Sequence, residues 1–230
     1  NKFPEYTCAH YFKEHLEEQG IVCEGGVGDF RLDRSWKQRG EIKALGKTRS
    51  PELRRIIFET NHISNNLYAE TLLRTLGREM TGSACYDSSY VAIGNVLAEL
   101  GVDTSRGYRL KDGSGLSRQN YMSSDFFCRF LLGMMSSPHF EAFVESLPYP
   151  GGHGTLSYNL KKYPEGLRSR IKVKSGSMNG VRCYSGYIIP TDGGKEDVII
   201  FSLMVNNCTS PTWEVRNLLD SVMATLAQMN

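Results

Sequence analysis

Apolar residues recur at three- and four-residue steps near the start of the chain, at Tyr6, Ala9, Phe12 and Leu16. That spacing predicts an amphipathic helix over residues 4–19, stopped by Gly20. The period is then lost. Residues 21–49 are punctuated by glycine and read as short strands or loops, with Glu41 to Leu45 fitting a short strand. A helical pattern returns over residues 51–61, with Ser50 as its cap and Pro51 in the first turn, where a missing N–H is tolerated. His62-Ile63-Ser64-Asn65-Asn66 interrupts it. A second helical stretch, Leu67 to Leu76, follows and closes at Gly77. Further helices are predicted over residues 88–100, ending at Gly101, and from a Ser123-Ser124-Asp125 cap to Met135. Asp112-Gly113-Ser114-Gly115 reads as a turn and Gly151-Gly152-His153-Gly154 as a loop.

Beyond residue 170 the period changes to two. Ile171-Lys172-Val173-Lys174 alternates, Tyr184 to Ile189 is aromatic and β-branched, and Val198 to Val205 is nearly continuous apolar. These predict three consecutive strands, closed by a helix from about Thr212 to Met229. Many helices and a late run of strands define an α+β fold class. The chain shows no internal repeat, linker or low-complexity tract.

Composition narrows the function classes. The 230 residues are 40% hydrophobic and 23% charged, ordinary for a soluble globular protein. A chain of this length buries a sizeable core without needing a metal or a disulfide. A net charge of +2, from 27 Lys and Arg against 25 Asp and Glu, is too balanced for a nucleic-acid or membrane-surface protein. Arg54-Arg55 and Lys161-Lys162 read as solvated faces. No window is long and apolar enough to span a bilayer. Cys8, Cys23, Cys85, Cys128, Cys183 and Cys208 include no C-x-x-C pair, which removes zinc-ribbon and thioredoxin readings. Most read as small buried hydrophobes. The opening Asn-Lys-Phe-Pro has neither an initiator Met nor a signal-peptide apolar region. The expectation is that the chain starts after processing or within a longer gene product.

Two short motifs carry candidate chemistry. Ser64-Asn65-Asn66 is an S-x-N triplet at the junction of two predicted helices. Lys174-Ser175-Gly176-Ser177 is a K-S/T-G triplet at the end of a predicted strand. Each alone is three common residue types, and Ser64 as a helix cap or Gly176 as a strand-end turn would explain it. In this order and these contexts they match two of the three motifs of serine penicillin-recognising enzymes, S-x-x-K, S-x-N and K-S/T-G.

Several extended stretches carry the resemblance further: Ser64-Asn65-Asn66-Leu67-Tyr68-Ala69-Glu70-Thr71, Asp112-Gly113-Ser114-Gly115-Leu116-Ser117-Arg118, Gly154-Thr155-Leu156, Lys174 to Val181, and Ser185-Gly186-Tyr187-Ile188. From about residue 5 to its end the chain resembles the C-terminal portion of the class C low-molecular-mass penicillin-binding proteins, which are D-alanyl-D-alanine carboxypeptidases and endopeptidases. The resemblance implies a serine β-lactamase/transpeptidase-like fold, an antiparallel sheet flanked by helices.

It also implies roles. Ser64 would relay a proton to the leaving amine, and Asn66 would hold a substrate amide with a donor and an acceptor together. Lys174 would support proton transfer and, with the Ser175 hydroxyl, bind a terminal carboxylate. Gly176 would let substrate lie close to the strand. Ser177 would supply a backbone N–H to an oxyanion hole. The stretch from Asp112 to Arg118 is a family signature with no catalytic role assigned, and reads as a structural turn. Implied partners are peptidoglycan stem peptides and β-lactams, with no cofactor, no nucleic acid and no membrane span. The implied location is the cell envelope, in the periplasm.

Two departures bear on activity. Ser175 stands where threonine is the common family residue, and it keeps the hydroxyl. The nucleophile motif S-x-x-K is matched only by Ser169-Arg170-Ile171-Lys172, on a predicted strand whose two-residue period does not set Ser169 and Lys172 on one helical face. In the family that motif lies far upstream. The chain therefore reads as residues 1–230 of a catalytic domain whose nucleophile segment is elsewhere, inactive alone, with the missing N-terminal part as its partner. The alternative is a non-catalytic module that binds peptidoglycan peptides in the retained cleft. A third reading is an unrelated α+β domain with coincidental motifs. His62, His153, Tyr184 and Tyr187 are tempting, but read as a loop histidine near the cleft, a histidine among glycines, and two strand-packing tyrosines. Neither histidine has a metal-ligand partner at helical spacing.

Overall fold

The computed structural model describes residues 4–29 and 47–229. It divides into two units, residues 1–49 and 50–230. In the first, helix α1 spans Pro4–Glu18, as the apolar spacing predicts. The Lys13–Glu17 ion pair runs along it at helical spacing, and His10 Nε2 lies 3.4 Å from Glu14 Oε1. Lys13 Nζ donates to Gly25 O at 2.8 Å, tying the following segment back to the helix. The strand expected over Glu41 to Leu45 lies outside the described residues.

The second unit opens with α2 (Leu53–Ile63), α3 (Asn66–Thr81) and α4 (Tyr86–Glu99). Helix α2 starts after Glu52, two residues later than the Ser50-Pro51 signal suggests, and has no side-chain cap. Helix α3 does not close at Gly77. It runs on to Gly82, which takes the left-handed cap conformation. Gly77 has a different task. It is buried where α3 crosses α4, and a Cβ there would overlap the backbone and hydroxyl of Ser89. The glycine is a contact point between helices, not a stop.

A two-stranded ribbon follows, β1 (Tyr108–Arg109) with β2 (Tyr121–Met122), then α5 (Ser124–Met135), α6 (Phe140–Ser146) and the short α7 (Glu165–Arg168). Ser123 caps α5, its hydroxyl accepting from the Phe126 N–H. The three late strands are present as β3 (Ile171–Met178), β4 (Val181–Ile188) and β5 (Ile199–Val205), and α8 (Thr212–Met229) ends the unit. They form an antiparallel sheet in the order β3-β4-β5.

Alternation along the strands gives the sheet two apolar faces. Ile171, Val173, Tyr184, Ile188 and Phe201 pack on Val215, Leu219, Met223 and Ala227 of α8. Tyr187 and Ile200 face the other way, onto Leu131 of α5 and Phe140 and Phe143 of α6. Tyr184 and Tyr187 are both fully buried strand packing. Tyr187 Oη donates to Leu131 O at 2.8 Å, satisfying the buried hydroxyl. Asn159 Nδ2 bridges the Tyr184 hydroxyl and both carboxylate oxygens of Asp220 on α8. The sheet is thus clamped between helices, α+β as expected, with β3 left at its edge.

The cysteines depart from expectation. All six are free thiols, Cys8 and Cys85 are exposed and the other four only half-buried. Arg54 and Arg55 are exposed and paired with Glu145 and Glu59. Lys161 and Lys162 sit over the rings of Tyr158 and Tyr163. Among the described residues, no helix is long and apolar enough to cross a membrane.

Candidate active site

The junction between α2 and α3 sets the first half of the site. Ser64 caps the end of α2 in the left-handed region, φ 54° and ψ 52°. A non-glycine residue there costs about 1–2 kcal/mol, a cost met at functional sites when the surroundings hold it. The N-cap of α3 is Asn65, whose side chain accepts from Tyr68 N at 3.1 Å. Ser64 is therefore not the helix N-cap. Its hydroxyl is left for other work, and Asn66, the first residue of α3, is exposed beside it.

Helix α2 is pinned from behind. Asn61 Nδ2 donates to Ser146 Oγ at 2.8 Å, and Ser146 Oγ donates to Phe143 O of α6 at 2.7 Å. His62 is buried in the last turn of α2, not on a loop. Its ring stacks on Phe58 at 3.8 Å, and burial lowers its pKa.

Strand β3 sets the second half. It runs on through the whole K-S-G-S stretch to Met178, so Gly176 lies within a strand and not at a turn. Val173 N donates outward to Pro148 O at 2.9 Å, away from β4. By the two-residue alternation of an antiparallel strand, the N–H groups of Ser175 and Ser177 point to the same open side. On this side Gly176 and Ser177 are exposed.

The two halves meet at Lys174. Its Nζ donates to Ser64 Oγ at 2.9 Å and to Ser175 O at 2.8 Å. Burial pulls its pKa from 10.5 to about 8, since an ammonium loses hydration there. The Ser175 hydroxyl lies 3.2 Å from Thr155 Oγ1. Thr155 N donates to His62 O at 2.9 Å. Gly154, at φ +106°, packs so closely on His62 O that a Cβ would overlap it. The 153–155 loop therefore bridges α2 to β3.

Against Ala69, Glu70 and Leu73 of α3, the Asp112–Arg118 stretch is an organised turn. Asp112 accepts from Gly115 N, Ser117 N and Asn120 Nδ2 at 2.6–2.8 Å. Glu70, one helical turn beyond Asn66, accepts from Ser114 N and Ser114 Oγ at 3.0 and 2.7 Å and from Tyr86 Oη at 3.0 Å. Sequence reasoning assigned no task to Glu70 or Thr155. Both stand inside stretches already singled out, but their partners are distant in sequence. The lone S-x-x-K match engages other groups: Ser169 Oγ reaches Gly166 O at 3.4 Å and Lys172 Nζ lies 5.3 Å over the Tyr149 ring.

A lysine-bound serine at a helix junction, facing the open edge of a helix-clamped antiparallel sheet, defines the class: a penicillin-binding-protein fold of the transpeptidase and β-lactamase kind. The solved structure of penicillin binding protein 4 from Haemophilus influenzae, complexed with a β-lactam, superposes with a TM-score of 0.77 at 21% identity, over 96% of this chain and 50% of that one. The D-Ala-D-Ala carboxypeptidase 3 (S13) family matches residues 2–228, and the chain belongs to that family. Among curated relatives, the D-alanyl-D-alanine carboxypeptidase of Actinomadura sp. (strain R39) is 33% identical over 214 residues, 90% of this chain and 38% of that protein. The penicillin-sensitive carboxypeptidase A of Dictyostelium discoideum is 29% identical over 232 residues, 98% of this chain and 42% of that protein. The chain thus spans less than half the length of these relatives.

Proposed function

We propose that this chain forms the acceptor side of a serine D-alanyl-D-alanine carboxypeptidase. In this reading a nucleophilic serine supplied from outside the 230 residues attacks the terminal peptide bond of a peptidoglycan stem peptide. The observation that carries it is the 2.9 Å bond from Lys174 Nζ to Ser64 Oγ, with Lys174 titrating at about 8. A lysine held that way passes a proton through the serine hydroxyl to a leaving amine, which ordinary surface Lys-Ser pairs do not do.

The other roles follow from position. The Ser177 N–H on the free edge of β3 stabilises the oxyanion. Substrate lies along that edge as an added strand, passing over Gly176. Lys174 and the Ser175 hydroxyl take the terminal carboxylate, and Asn66 holds a substrate amide. β-Lactams mimic the same carboxylate and amide and acylate the same serine. The location proposed with this activity is the cell envelope, outside the cytoplasmic membrane.

Intact-protein mass after incubation with benzylpenicillin tests the reading, on this chain and on the gene product extended upstream. Acylation of the longer form alone supports it. Acylation of this chain places the nucleophile among its own serines. No acylation of either form sinks the catalytic reading and leaves a peptide-binding module.

A further inference from the structure

We propose that Thr155 is a positioning residue that fixes the Ser175 hydroxyl toward a ligand carboxylate, a role that rests on the reading of Ser175 given above. Three observations converge. Thr155 Oγ1 lies 3.2 Å from Ser175 Oγ. Thr155 is itself pinned, its N–H donating to His62 O at 2.9 Å. Gly154 brings the loop against that same carbonyl in a backbone conformation that a side chain would strain.

The need arises from the residue at 175. A threonine there is stiff at χ1, because two heavy atoms on Cβ restrict its rotamers. Serine has no such restriction and samples three staggered wells. If the wells are equal, holding one is worth about threefold in any equilibrium that requires it. Thr155 supplies from a neighbouring loop the restriction that β-branching supplies within a threonine.

The direction of the bond matters as well. Ser175 has one proton. If it went to Thr155, none would remain for a carboxylate. With Thr155 donating, Ser175 Oγ accepts and its own O–H is free for the ligand. The chain Thr155 to Ser175 to carboxylate then runs one way, each bond polarising the next. Lys174, whose Nζ is held by Ser175 O, places its charge beside the same terminus.

The test uses the gene product extended upstream, with T155V, T155S, S175T and the double variant T155V/S175T. Second-order acylation by benzylpenicillin should fall three- to tenfold in T155V and be kept in T155S. In the S175T background the same T155V change should cost less than twofold. Crystal structures supply a second readout: one Ser175 rotamer in the parent protein, several in T155V. An equal fall in both backgrounds, or a single Ser175 rotamer retained in T155V, would overturn the proposal. If the parent protein is not acylated at all, the catalytic reading fails, and the rotamer populations still decide the role of Thr155.

Discussion

Lys174 is paid for in stability. Its ammonium is pulled from water by burial and titrates at about 8 instead of 10.5. Between those values the unfolded chain binds more protons than the folded one, so this group's contribution to stability rises with pH across that window. Below about pH 8 the full cost is present. Lys174→Met removes the buried charge and keeps most of the stem's packing. The variant should be more stable than the parent at pH 7 by about 2 kcal/mol, and the gap should shrink to about a quarter of that at pH 10 and vanish only above pH 10.5. Urea unfolding of both proteins at the two pH values measures it. A gap of equal size at both would mean that Lys174 titrates as an ordinary surface lysine. The residue types of the site were legible in sequence because S-x-N and K-S/T-G are short and local. That Lys174 and Ser64 touch was not, because no periodicity reports a contact between residues 110 positions apart.

At the scale of elements, periodicity located the helices and strands well and misread their punctuation. Gly77 looks like a stop because glycine usually follows helices, yet it is the crossing point of α3 on Ser89. Ser64 looks like an N-cap, yet Asn65 takes that place. Helices α6 and α7 escaped notice, being too short at seven and four residues to show a period. The turn at Asp112 was legible as a turn, but not its attachment to α3. Burial pushes the Glu70 carboxyl up, but the hydrogen bonds from Ser114, Gly113 and Tyr86 outweigh that and hold its pKa below the usual value. A depressed carboxyl stabilises the fold above its unfolded pKa and loses that benefit as pH falls through the folded value. Glu70→Gln should therefore cost about 1 kcal/mol at pH 7, the scale of partly exposed charged hydrogen bonds. The difference from the parent should shrink below pH 4. Thermal melts at both pH values check this, and a deficit that persists in acid would show that shape, not charge, holds the turn.

At the scale of the whole molecule, the arrangement leaves an apolar rim around the motif it builds. Ile63, Leu67 and Tyr68 flank Ser64 and Asn66, and they are 46%, 71% and 42% exposed. Single exposed apolar residues need no explanation, but three around one candidate site give an incoming apolar segment a place to pack. The relatives are more than twice as long as this chain. On the proposed function, the segment bearing the nucleophile would seat on this rim, bringing its serine to the Lys174–Ser64 pair. Amide hydrogen exchange over residues 63–68 should then be markedly slower in the gene product extended upstream than in this chain alone. The apolar dye 1-anilinonaphthalene-8-sulfonate should bind the short chain more strongly. Exchange that is equally fast in both forms would mean that the rim stays open.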